Sequence, residues 1–204
     1  MAKNKATDKF ININRIESAK VNGYQVRIRE YTPFVGGLSS TSLKEALKKR
    51  NEFYESNHYM PPGIARHHMK ESVPDLERTT GWHGLSYTIA NEASGPLIIS
   101  CTARHLATGK PHTISIRVHL HKTDKKAMNF SVKARNRNVE QYNKIVDAYN
   151  EMLYPTMIKY ARREARTLTP CMHDLKGFDI KLWKKALNAV YPLGLASSTE
   201  AIEK

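Results

Sequence analysis

The sequence predicts an α+β protein built from two small units, each a three- or four-stranded antiparallel sheet packed on one helix, with helices added at the C-terminus. Apolar and polar residues alternate in the segments 24–29 and 113–121, and this period of two is typical of a strand with one buried face. Each strand region is followed by a segment, 43–54 or 139–153, whose apolar residues recur at helical spacing. We therefore interpret the chain as one sheet-and-helix arrangement that occurs twice.

Composition and turn residues suggest where the units begin and end. We assign a basic tail to 1–9, the first unit to 10–57, a linker to 58–79, the second unit to 80–154 and a C-terminal helical extension to 155–204. The linker assignment depends on the segment Pro61-Pro62-Gly63 and on Pro74, which interrupt a helix and leave room for one short helical turn.

The first unit opens with two predicted strands joined by a turn. The segment 10–16 alternates isoleucine with asparagine, which puts Asn12 and Asn14 on the face opposite the isoleucines. After a turn at 21–23, the second strand places three polar side chains on one face: Gln25, Arg27 and Arg29. A short third strand over 35–40 completes the predicted sheet.

The helix of the first unit is predicted to run from Leu43 to Ser56. Ser42 and Glu45 have the spacing of a capping box, in which the serine hydroxyl accepts the backbone N–H of Glu45 and the carboxylate bonds back to the start of the helix. We expect the apolar stripe that follows to pack on the sheet.

The second unit is predicted to contain more strand than the first. Strands are expected over 85–89, 97–104, 113–121 and 128–132. The third of these alternates most cleanly, and its polar side consists of Thr113, Ser115, Arg117, His119 and His121. The next turn carries three lysines, Lys122, Lys125 and Lys126. Both predicted sheets therefore present polar or basic side chains on an outer face.

Helices are predicted for the rest of the chain. Asn138 has the position of a cap for a helix over 139–153, which Pro155 should end or kink, and 156–167 forms a basic helical extension.

A last short helix is expected to start at Asp179. Its Trp183 shares a stripe with aliphatic residues, so we expect it to dock on other parts of the chain. With Leu187 it is also a candidate surface for a homodimer.

The chain carries a formal net charge of +14 and a pI of about 9.8. This excess of positive charge favours a polyanionic partner, and the alternative is that it serves solubility only. Cys101 and Cys171 have neither the spacing of a zinc site nor the number of a disulfide framework, which favours a reducing, intracellular setting. No segment has the ~20 apolar residues of a membrane helix, and the N-terminus lacks the apolar core of a signal peptide. We therefore expect a cytoplasmic protein without membrane contact.

The first unit resembles the AP2 DNA-binding domain of the plant ethylene-response factors. The resemblance covers about 11–57 and is carried by the segments 24–29 (YQVRIR) and 37–46 (GLSSTSLKEA). The second unit is similar to the phage and bacterial versions of the family, through the threonine and glycines of 80–86 and through 130–132 (FSV). It departs from the family in having VEQ at 139–141 instead of Glu-Ala, and in carrying extra residues between 91 and 112.

The resemblance implies that each three-stranded sheet enters the major groove of DNA. A ribbon of strands fits that groove, where arginine can contact guanine and Gln or Asn can contact adenine, while lysines favour phosphates. The candidate residues are Asn12, Asn14, Gln25, Arg27 and Arg29 in the first unit, and Thr113, Ser115, Arg117, His119, His121, Lys122, Lys125 and Lys126 in the second. The alternative is that these side chains form the wet side of a half-exposed sheet.

Enzymatic alternatives find less support in the sequence. AP2-like units accompany HNH nucleases in phage homing endonucleases, but His67-His68 is not followed by a matching Asn and His within the linker. A metal site from His105, His112, His119 and His121 has only Asp124 as a further ligand nearby. We expect no catalysis, no metal and no cofactor.

The sequence thus favours a sequence-specific binder of double-stranded DNA. We expect a repressor or other regulator of phage or mobile-element origin, located with the nucleoid of a bacterial host, or the targeting part of a homing endonuclease that has lost its nuclease. The alternatives are an active nuclease or recombinase accessory, and a basic RNA-binding module.

Overall fold

The computed structural model describes residues 9–89, 97–118 and 124–192. Within them the chain forms two three-stranded antiparallel sheets and three α-helices, which confirms the predicted α+β class. The strands are β1 (Ile13–Glu17), β2 (Asn22–Val26) and β3 (Phe34–Gly36) in the first sheet, and β4 (Leu85–Ile89), β5 (Leu97–Arg104) and β6 (Pro111–Arg117) in the second. The helices are α1 (Ser40–Ser56), α2 (Asp124–Thr167) and α3 (Ile180–Val190), with a 3-10 turn over Met172–Lys176.

The chain divides into two compact units. The sheet-1 unit contains the described residues up to 66 and 150–178, and the sheet-2 unit contains those of 67–149 and 179–192. Helix α2 therefore contributes residues to both units. The boundaries given above for the DNA-binding units are not tested by this division and stay a prediction.

In the sheet-1 unit, β2 lies between β1 and β3, and α1 packs on the sheet. The inner face of the sheet supplies Ile13, Val26 and Val35, all buried, and α1 supplies the fully buried Leu47 and Tyr54. This arrangement leaves the opposite face of the sheet for solvent or a partner.

Helix α1 begins earlier than predicted, because its N-cap is Ser39. The Ser39 side chain accepts the backbone N–H of Ser42 at 3.0 Å, so the predicted Ser42–Glu45 capping box is wrong. The physical reason is the turn at Gly37, whose φ of +85° ends β3 and makes Ser39 available as a cap. Glu45 instead lies 3.3 Å from Lys49 on the helix surface.

In the sheet-2 unit, β5 is the central strand and its inner side chains pack on the start of α2. The buried cluster joins Leu85, Ile99, Cys101 and Ile116 of the sheet to Ala127 and Met128 of the helix. The predicted bounds of β4 and β5 are confirmed.

Two predictions for this region are wrong, because α2 begins at Asp124 and runs through both sites. The expected strand 128–132 is helical, and the Ser131 hydroxyl donates to the Ala127 carbonyl one turn earlier. Asn138 lies inside the helix, where its amide forms two hydrogen bonds with the backbone of Arg104 at the end of β5, at 2.8 and 2.9 Å. The asparagine therefore serves a tertiary contact instead of a cap.

Helix α2 also continues through Pro155, which does not end it, and the predicted helical extension over 156–167 is confirmed. Helix α3 starts as predicted, with the Asp179 carboxylate accepting the N–H groups of Lys181 and Leu182. Its Trp183 is fully buried and donates from Nε1 to the Leu106 carbonyl at 2.8 Å. Trp183 thus docks on other parts of its own unit, as expected, while a homodimer through the C-terminal helices stays a prediction.

The segment 58–79 contains no helix or strand, but α2 holds it through asparagine side chains. In the sheet-2 unit, Asn143 bonds to both the N–H and the C=O of Met69, and Asn136 bonds to both groups of Ser72. The two asparagines are seven residues apart in α2, a rise of ~10.5 Å, and their partners are three residues apart in extended backbone, a rise of ~10 Å. The two spacings match, so both amides can bond to the segment at once.

Candidate nucleic-acid interface

The outer face of the first sheet presents a row of three side chains. Asn14 of β1 pairs with Gln25 of β2, and Gln25 pairs with Phe34 of β3. Directly opposite residues of antiparallel strands share a face, so the row lies on the side away from the buried Ile13 and Val26. Asn14 and Phe34 are exposed and Gln25 is half-buried.

Arg27 extends this row just beyond the end of β2. Its backbone N–H donates to the Asn12 carbonyl at 2.9 Å, which continues the pairing of the two strands. Its exposed side chain donates from Nε to Oε1 of Gln25 at 2.9 Å. The two terminal nitrogens form no hydrogen bond with any residue that the structure describes, so the forked end of the guanidinium is available to an acceptor outside the chain.

Phe34 also lies on the outer face of the first sheet, and it was not among the residues predicted from the sequence. Its side chain is 41% exposed and its ring lies over Gly23 of the neighbouring strand. A Cβ atom on Gly23 would lie 2.5 Å from Cζ of the ring and 2.2 Å from the Val35 carbonyl oxygen, so only glycine permits this arrangement. The available sequence signal was a glycine in the central strand beside an aromatic residue in the edge strand.

Two predicted residues do not join the outer face of the first sheet. Asn12 precedes β1 with a φ of +63°, and its amide accepts from the Tyr54 hydroxyl and donates to the Arg27 carbonyl. Arg29 follows β2 with a φ of +52°, and its guanidinium lies 5.5 Å from the ring centre of Tyr59. Both residues were predicted to lie in strands, but the strands are shorter than expected and these two residues lie outside them.

The outer face of the second sheet carries hydroxyl groups from all of its strands. One cross-strand row is Ser86, Ser100 and Ser115, and the Ser100 and Ser115 hydroxyls lie 3.1 Å apart. Next to it, Thr102 pairs with Thr113.

The structure therefore places Thr113 and Ser115 on one exposed face, as predicted. Arg117 is on the same face and exposed, in a row with Thr88 and Ile98.

Sequence reasoning missed the hydroxyls of β4 and β5, which are Ser86, Thr88, Ser100 and Thr102. Their signal is the alternation of serine or threonine with buried residues such as Leu85 and Cys101. A shallow groove of about 330 Å³ is lined by Ser86, Ser100, Thr102 and Thr113, together with Arg78 and His83.

Two of the three predicted lysines are in a helix and not in a turn. Lys125 and Lys126 are exposed in the first turn of α2, because the helix begins at Asp124. His119, His121 and Lys122 lie outside the described residues.

The residues considered for catalysis occupy other places. His68 lies on the surface with Nε2 2.7 Å from Oδ1 of Asp147, and the rings of His105 and His112 are 5.7 Å apart. Burial and the neighbouring His105 lower the pKa of His112. Among the described residues, no three His, Cys, Asp or Glu side chains form a group that fits a metal ion.

Cys101 is buried and Cys171 half-buried, and burial raises the pKa of both thiols. No helix in the described ranges is long and apolar enough to cross a membrane.

Comparisons with protein-family models, curated proteins and solved structures find no match to this chain. The resemblance to the AP2 domain therefore stays a prediction.

Proposed function

We propose that this chain is a non-enzymatic, sequence-specific binder of double-stranded DNA that inserts the outer faces of its sheets into the major groove. The observation that supports this most is the row Asn14, Gln25 and Phe34 with Arg27 beside it. These are side chains that read base edges, and they project from a narrow antiparallel ribbon whose other face is buried.

Net charge supports the same proposal at longer range. A chain with a charge of +14 attracts the phosphate backbone before any specific contact forms. Lys125 and Lys126, at the start of α2, suit phosphate contacts that position the protein on the duplex.

Each of the four side chains on the outer face of the first sheet can recognise a group on the edge of a base pair. The free fork of Arg27 suits O6 and N7 of guanine, and the amides of Asn14 and Gln25 suit N6 and N7 of adenine. Phe34 suits the methyl group of thymine, the main apolar feature of the major groove. Because Gln25 accepts from Nε of Arg27, the arginine fork is oriented before DNA binds.

The outer face of the second sheet carries mainly hydroxyl groups. Its serine and threonine hydroxyls can donate or accept, so they discriminate weakly between bases, and Arg117 is the described side chain of this face with a forked donor. We infer that the first face supplies most of the base discrimination. Two linked faces raise affinity further, because the second contact becomes intramolecular and avidity can increase ~100-fold or more.

We further propose a biological role as a regulator of phage or mobile-element origin that acts at the nucleoid, with the targeting part of a homing endonuclease as the alternative. The support is the resemblance of 11–57 and 80–154 to AP2 domains.

The test is selection of bound fragments from a pool of random duplex DNA, followed by competition with duplex RNA of the same sequence. We expect an enriched motif with two half-sites and a clear preference for DNA, because A-form RNA hides its major groove from a sheet. Equal affinity for RNA, or no enriched motif, would contradict the proposal. A plasmid-nicking assay with magnesium tests the absence of catalysis, and cleavage would show an enzyme.

A further inference from the structure

A concave groove of about 660 Å³ lies in the sheet-1 unit between α1 and the C-terminal part of α2. It is distinct from the proposed DNA-binding face, because no residue of β1, β2 or β3 lines it. The proposed function leaves this groove unexplained.

Polar contacts between α1 and α2 fix the walls of the groove. Arg50 of α1 and Glu164 of α2 form an ion pair at 2.9 Å in which both side chains are fully buried. Further along, the Tyr154 hydroxyl donates to the Tyr54 carbonyl at 2.9 Å. Residues later in α1 thus contact residues earlier in α2, so the two helices run antiparallel and the groove exists before any partner binds.

The floor and the rim of the groove differ in character. Pro155, Ile158 and Ala165 of α2 contribute an apolar floor. Lysine and arginine side chains stand along both walls, and three of them have no ion pair with any residue in the described part of the chain: Lys44, Lys159 and Arg166.

The two carboxylates of the groove are already engaged. Glu55 accepts from Arg162 at 2.8 and 3.0 Å, and Glu52 lies 3.8 Å from Lys48. The unpaired charge on the rim is therefore positive, while the centre of the groove offers apolar surface.

We propose that this groove docks an acidic amphipathic helix of a partner protein. Apolar residues on one side of such a helix would cover the floor, and flanking carboxylates would meet Lys44, Lys159 and Arg166. The α1 wall from Lys44 to Glu55 is ~16 Å long, which matches about three turns of a docked helix. A DNA backbone fits less well, because it has no apolar side to place on the floor.

The test uses the full chain and a fluorescein-labelled peptide of about three to four helical turns, with leucine at i, i+3, i+4 and i+7 and glutamate elsewhere. A scrambled peptide of identical composition serves as the ligand control. The variant is Lys44→Glu with Lys159→Glu and Arg166→Glu. The matched control variant, Lys20→Glu with Lys70→Glu and Lys184→Glu, makes the same change in net charge at exposed residues that do not line the groove.

We expect the wild type and the control variant to bind the amphipathic peptide with similar affinity, and the groove variant to bind it ~10-fold or more weakly. Equal losses in both variants, or equal binding of the scrambled peptide, would overturn the proposal, because binding would then depend on net charge alone. Displacement of the peptide by duplex DNA, with loss of DNA affinity in the groove variant, would also overturn it and assign the groove to DNA. If the proposed DNA binding fails, the comparisons between variants and between peptides still test the groove, because neither comparison includes DNA.

Discussion

Arg27 owes its orientation to residues on its own edge of the sheet. Its backbone continues the pairing with Asn12, and Gln25 accepts from its Nε, so only the terminal nitrogens remain for a ligand. A preorganised side chain loses less conformational entropy on binding, which favours a specific contact over a general attraction.

Replacing Arg27 should separate charge from geometry. We expect Arg27→Ala to weaken binding to the selected duplex by ~1–3 kcal/mol, with a much smaller effect on unrelated DNA. Arg27→Lys should lose most of the same discrimination, because an ammonium group keeps the charge but lacks the fork. Arg15→Lys is the control, since Arg15 is paired with Glu17 at 2.8 Å. Titrations followed by fluorescence anisotropy measure these affinities. Wild-type affinity of Arg27→Lys for the selected duplex would show that only the charge of Arg27 matters.

Phe34 is predicted to recognise a thymine methyl group. Replacing the relevant thymine of the selected site by uracil removes one methyl, so wild-type affinity should fall by ~0.8 kcal/mol, about fourfold. Phe34→Ala should bind both duplexes equally and more weakly than the wild type binds the thymine site. Paired titrations on the two duplexes measure this difference. A wild type that is indifferent to the methyl group at every position would contradict the assignment.

At the scale of the elements, alternation predicted β4 and β5 well. The bounds of β4 and β5 agree with prediction, because turn residues flank each strand and the partner strands are near in sequence. The start of α2 was missed, because Met128, Phe130 and Val132 alternate like a strand and Asn138 resembles a cap. The true partner of Asn138 is the backbone of Arg104, a tertiary contact that no local pattern reveals.

The outer faces were predicted where polar residues alternate clearly with apolar ones. Asn14, Gln25 and Arg27 of the first sheet and Thr113 and Ser115 of the second were found in this way. The hydroxyls of β4 and β5 were not, because serine and threonine occur on any wet surface. Phe34 was missed because an isolated aromatic residue normally predicts burial.

Removing one partner of the buried ion pair between α1 and α2 should strongly destabilise the sheet-1 unit. Glu164 accepts from Arg50 with one carboxylate oxygen and from the backbone N–H groups of Cys171 and Met172 with the other. Glu164→Ala leaves the buried guanidinium without its counter-ion, so we expect a loss of ~3–5 kcal/mol in the free energy of unfolding. Glu164→Gln should lose less, since an amide oxygen can still accept the two N–H bonds.

Chemical denaturation followed by circular dichroism measures this loss. The exposed Glu52→Ala is the control, and we expect a change within ~0.5 kcal/mol for it. Equal stability of Glu164→Ala and Glu52→Ala would mean that the buried pair does not hold the helices together.

His112 should make the second sheet sensitive to acid. Burial and His105 lower its pKa, so the unfolded chain takes up a proton at a higher pH than the folded chain does. The contribution of this histidine is complete above its ordinary value of 6.5 and is lost as the pH falls from there towards the lowered folded pKa. The free energy of unfolding should therefore fall more steeply below about pH 6.5 in the wild type than in His112→Gln. Parallel pH dependences, measured by denaturant titration of both proteins, would contradict this expectation.

At the scale of the whole molecule, the chain combines a high net charge with two exposed sheet faces of different chemistry. Net charge alone accounts for binding to any polyanion. The side chains on the outer faces of the two sheets, including Arg27 and Arg117, would account for a choice between DNA sequences. Discrimination between sequences is therefore the property that separates the proposed function from non-specific attraction.

The most direct measurement compares specific and non-specific DNA affinity in two variants with equal net charge. One variant is Arg27→Ala with Arg117→Ala, and the other is Lys184→Ala with Lys185→Ala on exposed positions of α3. At a fixed salt concentration, we predict that the arginine variant loses at least ~30-fold of its preference for the selected duplex, while the lysine variant keeps the wild-type preference. Equal preferences in the two variants would show that the outer sheet faces do not read the DNA sequence.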